Sequence, residues 1–285
     1  MRAVSQAKEG DSRNPAVALV QMTCTLEDKA ANLDKAVAFL ERSSGRADLV
    51  CFPELFSTGY HLDLIDGHFY ELAEPIPGPT TELVGRKAQE RGLSVLGTIV
   101  ERDGADDGVL YDTTFLLNAE GRLVGKYRKS HLYPPERRYF RAGNRLPVFD
   151  LDGIAVGVAI CFEHAFPQIF TTLALQGAQV IFIPSAVPVG YEYLLNLRTR
   201  ARAQDNQIFT VAVNRVGREG DVSYCGLSQV VSPRGEVIAR ASSADEELLI
   251  TELDFALISR ERDQEPVLKN LRPGLYQPMI GREEA

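Results

Sequence analysis

Runs of strand-forming residues alternate with helix-patterned runs along almost the whole chain, and no other feature of the sequence limits the fold so tightly. A16-V-A-L-V-Q21 is a short β-rich run, and in the next segment Ala30, Leu33, Val37 and Leu40 recur at helical spacing. The strand D48-L-V-C-F52 runs into Pro53, which has no amide hydrogen and stops the ladder. A helix over 80–91, a strand L93-S-V-L-G-T-I-V100 and two paired strands that turn at Glu120-Gly121 complete the first half. The second half repeats the grammar without repeating the residues. Its strand I154-A-V-G-V-A-I-C161 leads to a helix from Phe166 that glycine closes, and A178-Q-V-I-F-I-P184 is apolar on both of its faces. A helix-compatible stretch from Tyr191 to Asn206, a strand I208-F-T-V-A-V-N214 and a strand, turn and strand over 226–240 follow. Such interleaving predicts an α/β fold. No Ser/Gly/Pro-rich linker divides the 285 residues, so the expectation is a single domain spanning 1–285, with a loose N-terminal leader (1–14) and a C-terminal tail (about 261–285).

Charge and cysteine usage exclude several functions. A formal net charge of −8 opposes a phosphate backbone, and the basic run R122-L-V-G-K-Y-R-K129 is too short and too mixed to form a nucleic-acid groove. No apolar run reaches the roughly 18 residues that cross a bilayer, and the first residues hold no apolar signal core. A cytoplasmic protein with neither nucleic-acid nor membrane partner is expected. Cys24, Cys51, Cys161 and Cys225 form no CxxC pair, and the four histidines form no HxH or HExxH. Disulfides are therefore not indicated, and nothing points to a metal site.

Three strand ends carry reactive side chains: Glu54 after V50-C-F-P, Lys129 after V124-G-K-Y-R, and Cys161 after V156-G-V-A-I. Open α/β sheets hold ligands beyond such ends. Taken alone, Cys161 reads either as an inert packed thiol or as a nucleophile at a strand-to-helix junction, and Glu54, Lys129 and Glu136 read equally as solvated charges. Cysteine, carboxylate and ammonium together make an acyl-transfer set, in which the carboxylate moves the thiol proton and the ammonium stabilises the oxyanion. Spacing does not say whether they meet.

Five segments in order, F52-P-E-L-F-S-T-G-Y60, Y127-R-K-S-H-L132, G157-V-A-I-C-F-E163, R200-A-R-A-Q-D-N206 and N214-R-V-G217, resemble the nitrilase or carbon-nitrogen hydrolase superfamily. The resemblance covers roughly residues 15 to 255. It implies a four-layer αββα sandwich, amidase chemistry on a small molecule without a cofactor, and assembly as a homodimer or higher homo-oligomer in which the tail after Arg260 is an exchanged arm. Carried over by position, Glu54 is the general base, Lys129 the transition-state cation and Cys161 the nucleophile; Glu136 orients the lysine and the substrate. Many relatives have aspartate where this chain has Glu163, and glutamate where it has Gln168. The pocket is expected to draw on Tyr60, Phe162, Glu163, His164, Val187 and Tyr191, with Val189 nearby. His164 could contact substrate, support a neighbour or cap a helix. Arg198, Arg200 or Arg202 could receive a carboxylate. An amide ranks first as substrate, an N-carbamoyl amino acid second and a nitrile third; a catalytically idle binding protein of the same fold is the remaining alternative.

Overall fold

The computed structural model describes residues 14–276. Residues 1–13 of the expected leader and the last nine residues of the expected tail lie outside them. In chain order the strands of the first half are β1 (Ala16–Gln21), β2 (Leu49–Cys51), β3 (Ser94–Arg102), β4 (Leu110–Leu117) and β5 (Leu123–Arg128). The second half holds β6 (Phe149–Leu151), β7 (Ile154–Val158), β8 (Val180–Pro184), β9 (Phe209–Val213), a two-residue hairpin β10 and β11 (Arg218–Glu219, Val222–Ser223), β12 (Gln229–Val231), β13 (Val237–Arg240) and β14 (Glu247–Glu252). The helices are α1 (Lys29–Ser43), two single turns α2 (Leu62–Ile65) and α3 (Phe69–Leu72), α4 (Pro79–Arg91), α5 (Pro167–Leu175), α6 (Glu192–Asn206) and α7 (Ala256–Gln264).

These strands form two six-stranded sheets of like design, ordered β14-β1-β2-β3-β4-β5 and β13-β12-β9-β8-β7-β6. Each has three parallel strands at its centre and antiparallel strands outside them. The two-residue period of a strand sorts the apolar residues into layers. From β1, Val17 and Leu19 point between the sheets and meet Val156, Val158, Phe182 and Val211. Ala18 and Val20 point the other way, against Ala36, Phe39 and Leu40 of α1 and Val84 and Ala88 of α4. On the far side, Ile181 and Ile183 of β8 pack against Ile169, Phe170 and Leu173 of α5 and Leu195 of α6. The result is the expected αββα sandwich, and it explains why β1 and β8 read as unbroken apolar runs: both of their faces are covered.

Helix ends follow local chemistry. Asp28 caps α1 by accepting from the Ala31 amide, and α4 starts at Pro79 and stops at Gly92, whose φ of 65° is left-handed. Two segments depart from the sequence expectation. Strand β7 ends at Val158, before Cys161, and residues 261–264 of the expected tail finish α7 instead of running extended. Residues Leu268–Asn270 and Pro273–Leu275 then form short 3-10 turns.

Candidate active site

The first sheet delivers an acid and a base to one end of the sandwich. After β2, the chain turns sharply through Glu54 and Leu55, the latter at φ 47°, and the Glu54 side chain is fully buried. Lys129 follows β5 directly; its backbone N–H donates to Asp112 O at 2.9 Å, and its side chain is likewise buried. The ammonium donates to Glu54 Oε1 at 2.6 Å and to Glu136 Oε1 at 2.7 Å, and lies 3.3 Å from Asp112 Oδ2. Burial would discharge this lysine, but the carboxylates around it, Glu136 and Glu54 foremost, outweigh burial and hold its pKa well above the usual range. One oxygen from each of Glu54, Asp112 and Glu136 falls within 4.8 Å of the others, a spacing that suits a metal ion. The Lys129 ammonium fills that place, so the cation of this cluster is part of the chain.

Glu136 sits in the 3-10 turn Pro134–Arg138, where its Oε2 accepts from the Tyr133 amide at 2.8 Å and its Oε1 also accepts from the Tyr60 hydroxyl. Asp112 was not anticipated from sequence. Its two oxygens and Glu54 Oε2 are buried without a hydrogen-bond donor. Burial raises the Asp112 carboxyl well above its usual range; Lys129 opposes this, while Glu54 and Glu136 add to it. A proton on Asp112 lets it donate to Glu54, whose Oε2 otherwise has no donor.

The second sheet delivers the thiol. Cys161 opens a 3-10 turn, Cys161–Ala165, with φ at 45°, an unfavourable conformation for a residue with a Cβ. Burial and then Glu54 raise the thiol's pKa well above its usual value, against the opposing pull of Lys129 and of the Ala186 amide. The resting sulfur therefore carries its proton, and Glu54 and Lys129 lie close enough for their charges to act on it.

Glu163 fixes this turn to the lysine strand. Its Oε2 accepts from the Ile160 amide at 2.7 Å, and its Oε1 accepts from the Tyr127 hydroxyl at 2.6 Å and from the Ser130 and His131 amides at 2.8 and 3.1 Å. The Ser130 hydroxyl donates to the same Oε1. Burial would raise this carboxyl, but the hydrogen bonds from His131, Ser130, Tyr127 and Ile160 prevail and lower it. Glu163 is therefore charged and wholly engaged. The expectation that it lines the pocket is corrected: the side chain is absent from the cavity lining and joins the Cys161 turn to residues next to Lys129.

A cavity of about 410 Å³ opens over Cys161, and Tyr60, Phe162, His164, Val187 and Tyr191 line it as expected. Tyr133, Tyr224 and Arg198 also line it. Asn214 holds one wall, its Oδ1 accepting from the Val187 amide at 2.8 Å. Glu219 holds another by accepting at Oε2 from the amides of Tyr60 and His61, at 3.0 and 2.9 Å, and from the Tyr224 hydroxyl, at 2.8 Å. Its other oxygen pairs with buried Arg215. Gly59 must be glycine there: its φ is 85°, and a Cβ would come within 2.7 Å of Glu219 Oε1.

His164 Nε2 faces the Arg198 guanidinium at 3.0 Å, and Nδ1 is buried without a partner among the described residues. Burial, with Arg198, Arg202 and Lys129 adding to it, lowers the ring's pKa to about 3. The ring is neutral, and because a guanidinium only donates, Nε2 accepts and Nδ1 carries the hydrogen. The three candidate arginines part company here. Arg200 donates to Gly235 O at 2.8 Å, Arg202 pairs with Asp205 and donates to His164 O, and only Arg198 of the three lines the cavity.

The two sheets bring a cavity-lining thiol together with a buried ammonium and its carboxylates, a set suited to acyl transfer. The carbon-nitrogen hydrolase family model matches residues 16–263. A nitrilase of Pyrococcus abyssi is 36% identical over 268 residues, which cover 91% of this chain and 98% of that one. Omega-amidase NIT2-A of Xenopus laevis is 34% identical, over 87% of this chain and 92% of its own. The crystal structure of Saccharomyces cerevisiae Nit3, a member of the nitrilase superfamily, superposes with a TM-score of 0.83 at 30% identity, covering 91% of this chain and 97% of that one. The chain belongs to the carbon-nitrogen hydrolase family, as an amidase-like member of the nitrilase superfamily.

Proposed function

We propose that this enzyme hydrolyses a small amide to a carboxylic acid and ammonia through a thioester on Cys161. The observation that carries this reading is the buried Lys129 ammonium held between Glu54 and Glu136, whose charges act on the protonated Cys161 thiol in the cavity lining. Glu54 takes the thiol proton as sulfur attacks the amide carbon. The developing oxyanion is held by Lys129, with the Phe162 backbone amide beside it. When the tetrahedral adduct collapses, the carbon-nitrogen bond breaks, and Glu54 returns its proton to the leaving nitrogen, which departs as ammonia. A water molecule then gives a proton to Glu54 and its oxygen to the thioester carbon; collapse of the second adduct releases the acid, and the proton returns to sulfur. Glu136 keeps Lys129 and the Tyr60 hydroxyl in place throughout.

Intact-mass analysis during turnover of amides, N-carbamoyl amino acids and nitriles tests the reading. An acyl adduct that appears with amides and is absent from Cys161→Ala supports it; turnover without any adduct, or adducts that survive Cys161→Ala, would overturn it. Ammonia and carbon dioxide should be measured together. Carbon dioxide released in step with ammonia would move the assignment to carbamoyl hydrolysis.

A further inference from the structure

Three buried carboxylates surround one buried ammonium, and the cluster holds fewer donors than acceptors. The side chains of Glu54, Asp112, Glu136 and Lys129 are wholly out of contact with solvent. An ammonium has three hydrogens. Two go to Glu54 Oε1 at 2.6 Å and Glu136 Oε1 at 2.7 Å, while Asp112 Oδ2, 3.3 Å from the nitrogen, receives no hydrogen bond among the described residues. Glu136 is further supplied by the Tyr60 hydroxyl and the Tyr133 amide. Three oxygens are left without a donor, Oδ1 and Oδ2 of Asp112 and Oε2 of Glu54. Fully ionised, the three acids would leave two negative charges unbalanced in a buried site, which is costly enough that one acid keeps a proton. A proton on Asp112 removes one of those charges and supplies the missing donor in the same place.

We infer that Asp112 is a positioning residue for the reaction: as a neutral acid it hydrogen-bonds Glu54 Oε2 and leaves the third Lys129 hydrogen free for the substrate oxygen. The inference rests on the amide-hydrolase reading above and adds a residue to the same site. Glu54 is then fixed at both oxygens, Oε1 by Lys129 and Oε2 by Asp112, so its plane cannot turn about the single bond to the lysine. An ionised Asp112 would instead draw the third ammonium hydrogen, the one that a developing oxyanion needs. The backbone holds Asp112 to this task, because its carbonyl accepts from the Lys129 amide at 2.9 Å. Burial, opposed by Lys129 and aided by Glu54 and Glu136, favours the proton on Asp112. Beyond these three, the charge of Glu54 reaches Tyr60 and Cys161, and more weakly Arg215 and Tyr224. Lys129 also acts on His164. The acid limb of a pH profile therefore reports the whole cluster.

Alkylation of Cys161 by iodoacetamide, followed by peptide mass across pH, reads the cluster without turnover: sulfur bonds to the methylene carbon, iodide leaves and the thiol proton passes to Glu54. Asp112→Val replaces the donor with a methyl group. It should move the acid limb of alkylation and of kcat/KM up by about one pH unit, since a carboxylate without its donor keeps a proton to higher pH, and lower kcat/KM about tenfold to hundredfold. Asp112→Asn, whose NH2 donates in place of the carboxyl proton, should return the limb to its wild-type position and recover most of kcat/KM. A limb that stays put in Asp112→Val, or that falls in Asp112→Asn because a negative charge has been removed, would overturn the inference. The difference infrared spectrum of wild type and Asp112→Asn at about pH 7 decides the matter even where Asp112→Val does not fold. It should show the carbonyl stretch of a protonated carboxyl that the variant lacks; no such band means an ionised Asp112 and sinks the idea. If no amide is hydrolysed, the reading of the reaction fails, while the alkylation profile and the infrared band still judge the role of Asp112.

Discussion

Acid should destabilise this protein through one histidine, and the size of the effect follows from where His164 sits. In the unfolded chain the ring titrates near 6.5, and in the folded protein near 3, because burial and the flanking cations oppose its charge. The unfolded state thus takes up the proton first as pH falls. This contribution to stability is present in full above pH 6.5 and is lost between there and about 3. At about pH 7 the unfolded form gains a factor of about 1.3 from protonation, about 0.2 kcal/mol; at about pH 5 the factor is about 33, or about 2 kcal/mol. Urea unfolding at these two pH values, at one protein concentration, should show wild type losing about 2 kcal/mol more than His164→Gln. The variant keeps an acceptor for Arg198 but does not titrate. Comparison with the variant cancels the remaining groups, including His68, which Glu27 pushes up and whose stabilisation fades as pH rises. Equal losses in the two proteins would refute the account of His164 as a buried, neutral ring.

Glu163→Gln should cost about 3 to 5 kcal/mol in urea unfolding, because five donors converge on the two carboxylate oxygens and an amide NH2 would meet one of them head on. A cost below about 1 kcal/mol would show that the network does not tie the cysteine turn to the lysine strand. For Asp112→Asn the expected change is within about 1 kcal/mol, since a neutral amide replaces a neutral acid; an ionised Asp112 would make the same substitution cost about 3 kcal/mol or more.

The sequence was most legible where one physical cause acts locally. The apolar runs of β1 and β8 and the Asp28 and Gly92 helix boundaries follow from residues within a few positions. Long-range pairing was not legible. Glu247–Glu252 is a six-residue edge strand whose pattern does not show that its partner is Ala16–Gln21 at the other end of the chain, and Phe149–Leu151 is too short to declare itself. In the site, Glu54, Lys129, Glu136 and Cys161 were found through a resemblance spread over separate segments, because nothing local distinguishes a buried glutamate from a solvated one. Asp112 was missed for the same reason: within Y111-D-T-T-F it looks like an outward polar residue of a strand, yet it is fully buried. Arg198 and Arg202 stand one helical turn apart, so periodicity gives them a common face, and only the position of Asp205 decides which of them is paired. Glu163 was misplaced because its five donors come from two separate stretches of chain.

The two sheets contribute unequal parts: carboxylates and ammonium come with the first, the sulfur with the second. Neither half of the chain holds all of these groups, so the candidate site is a property of the seam between them. The burial and the Glu54 and Lys129 charges that set the pKa of Cys161 thus come from the packing of one sheet on the other. The Ile160 to Ser130 linkage through Glu163 spans that seam and ties the cysteine turn to the residue that follows Lys129.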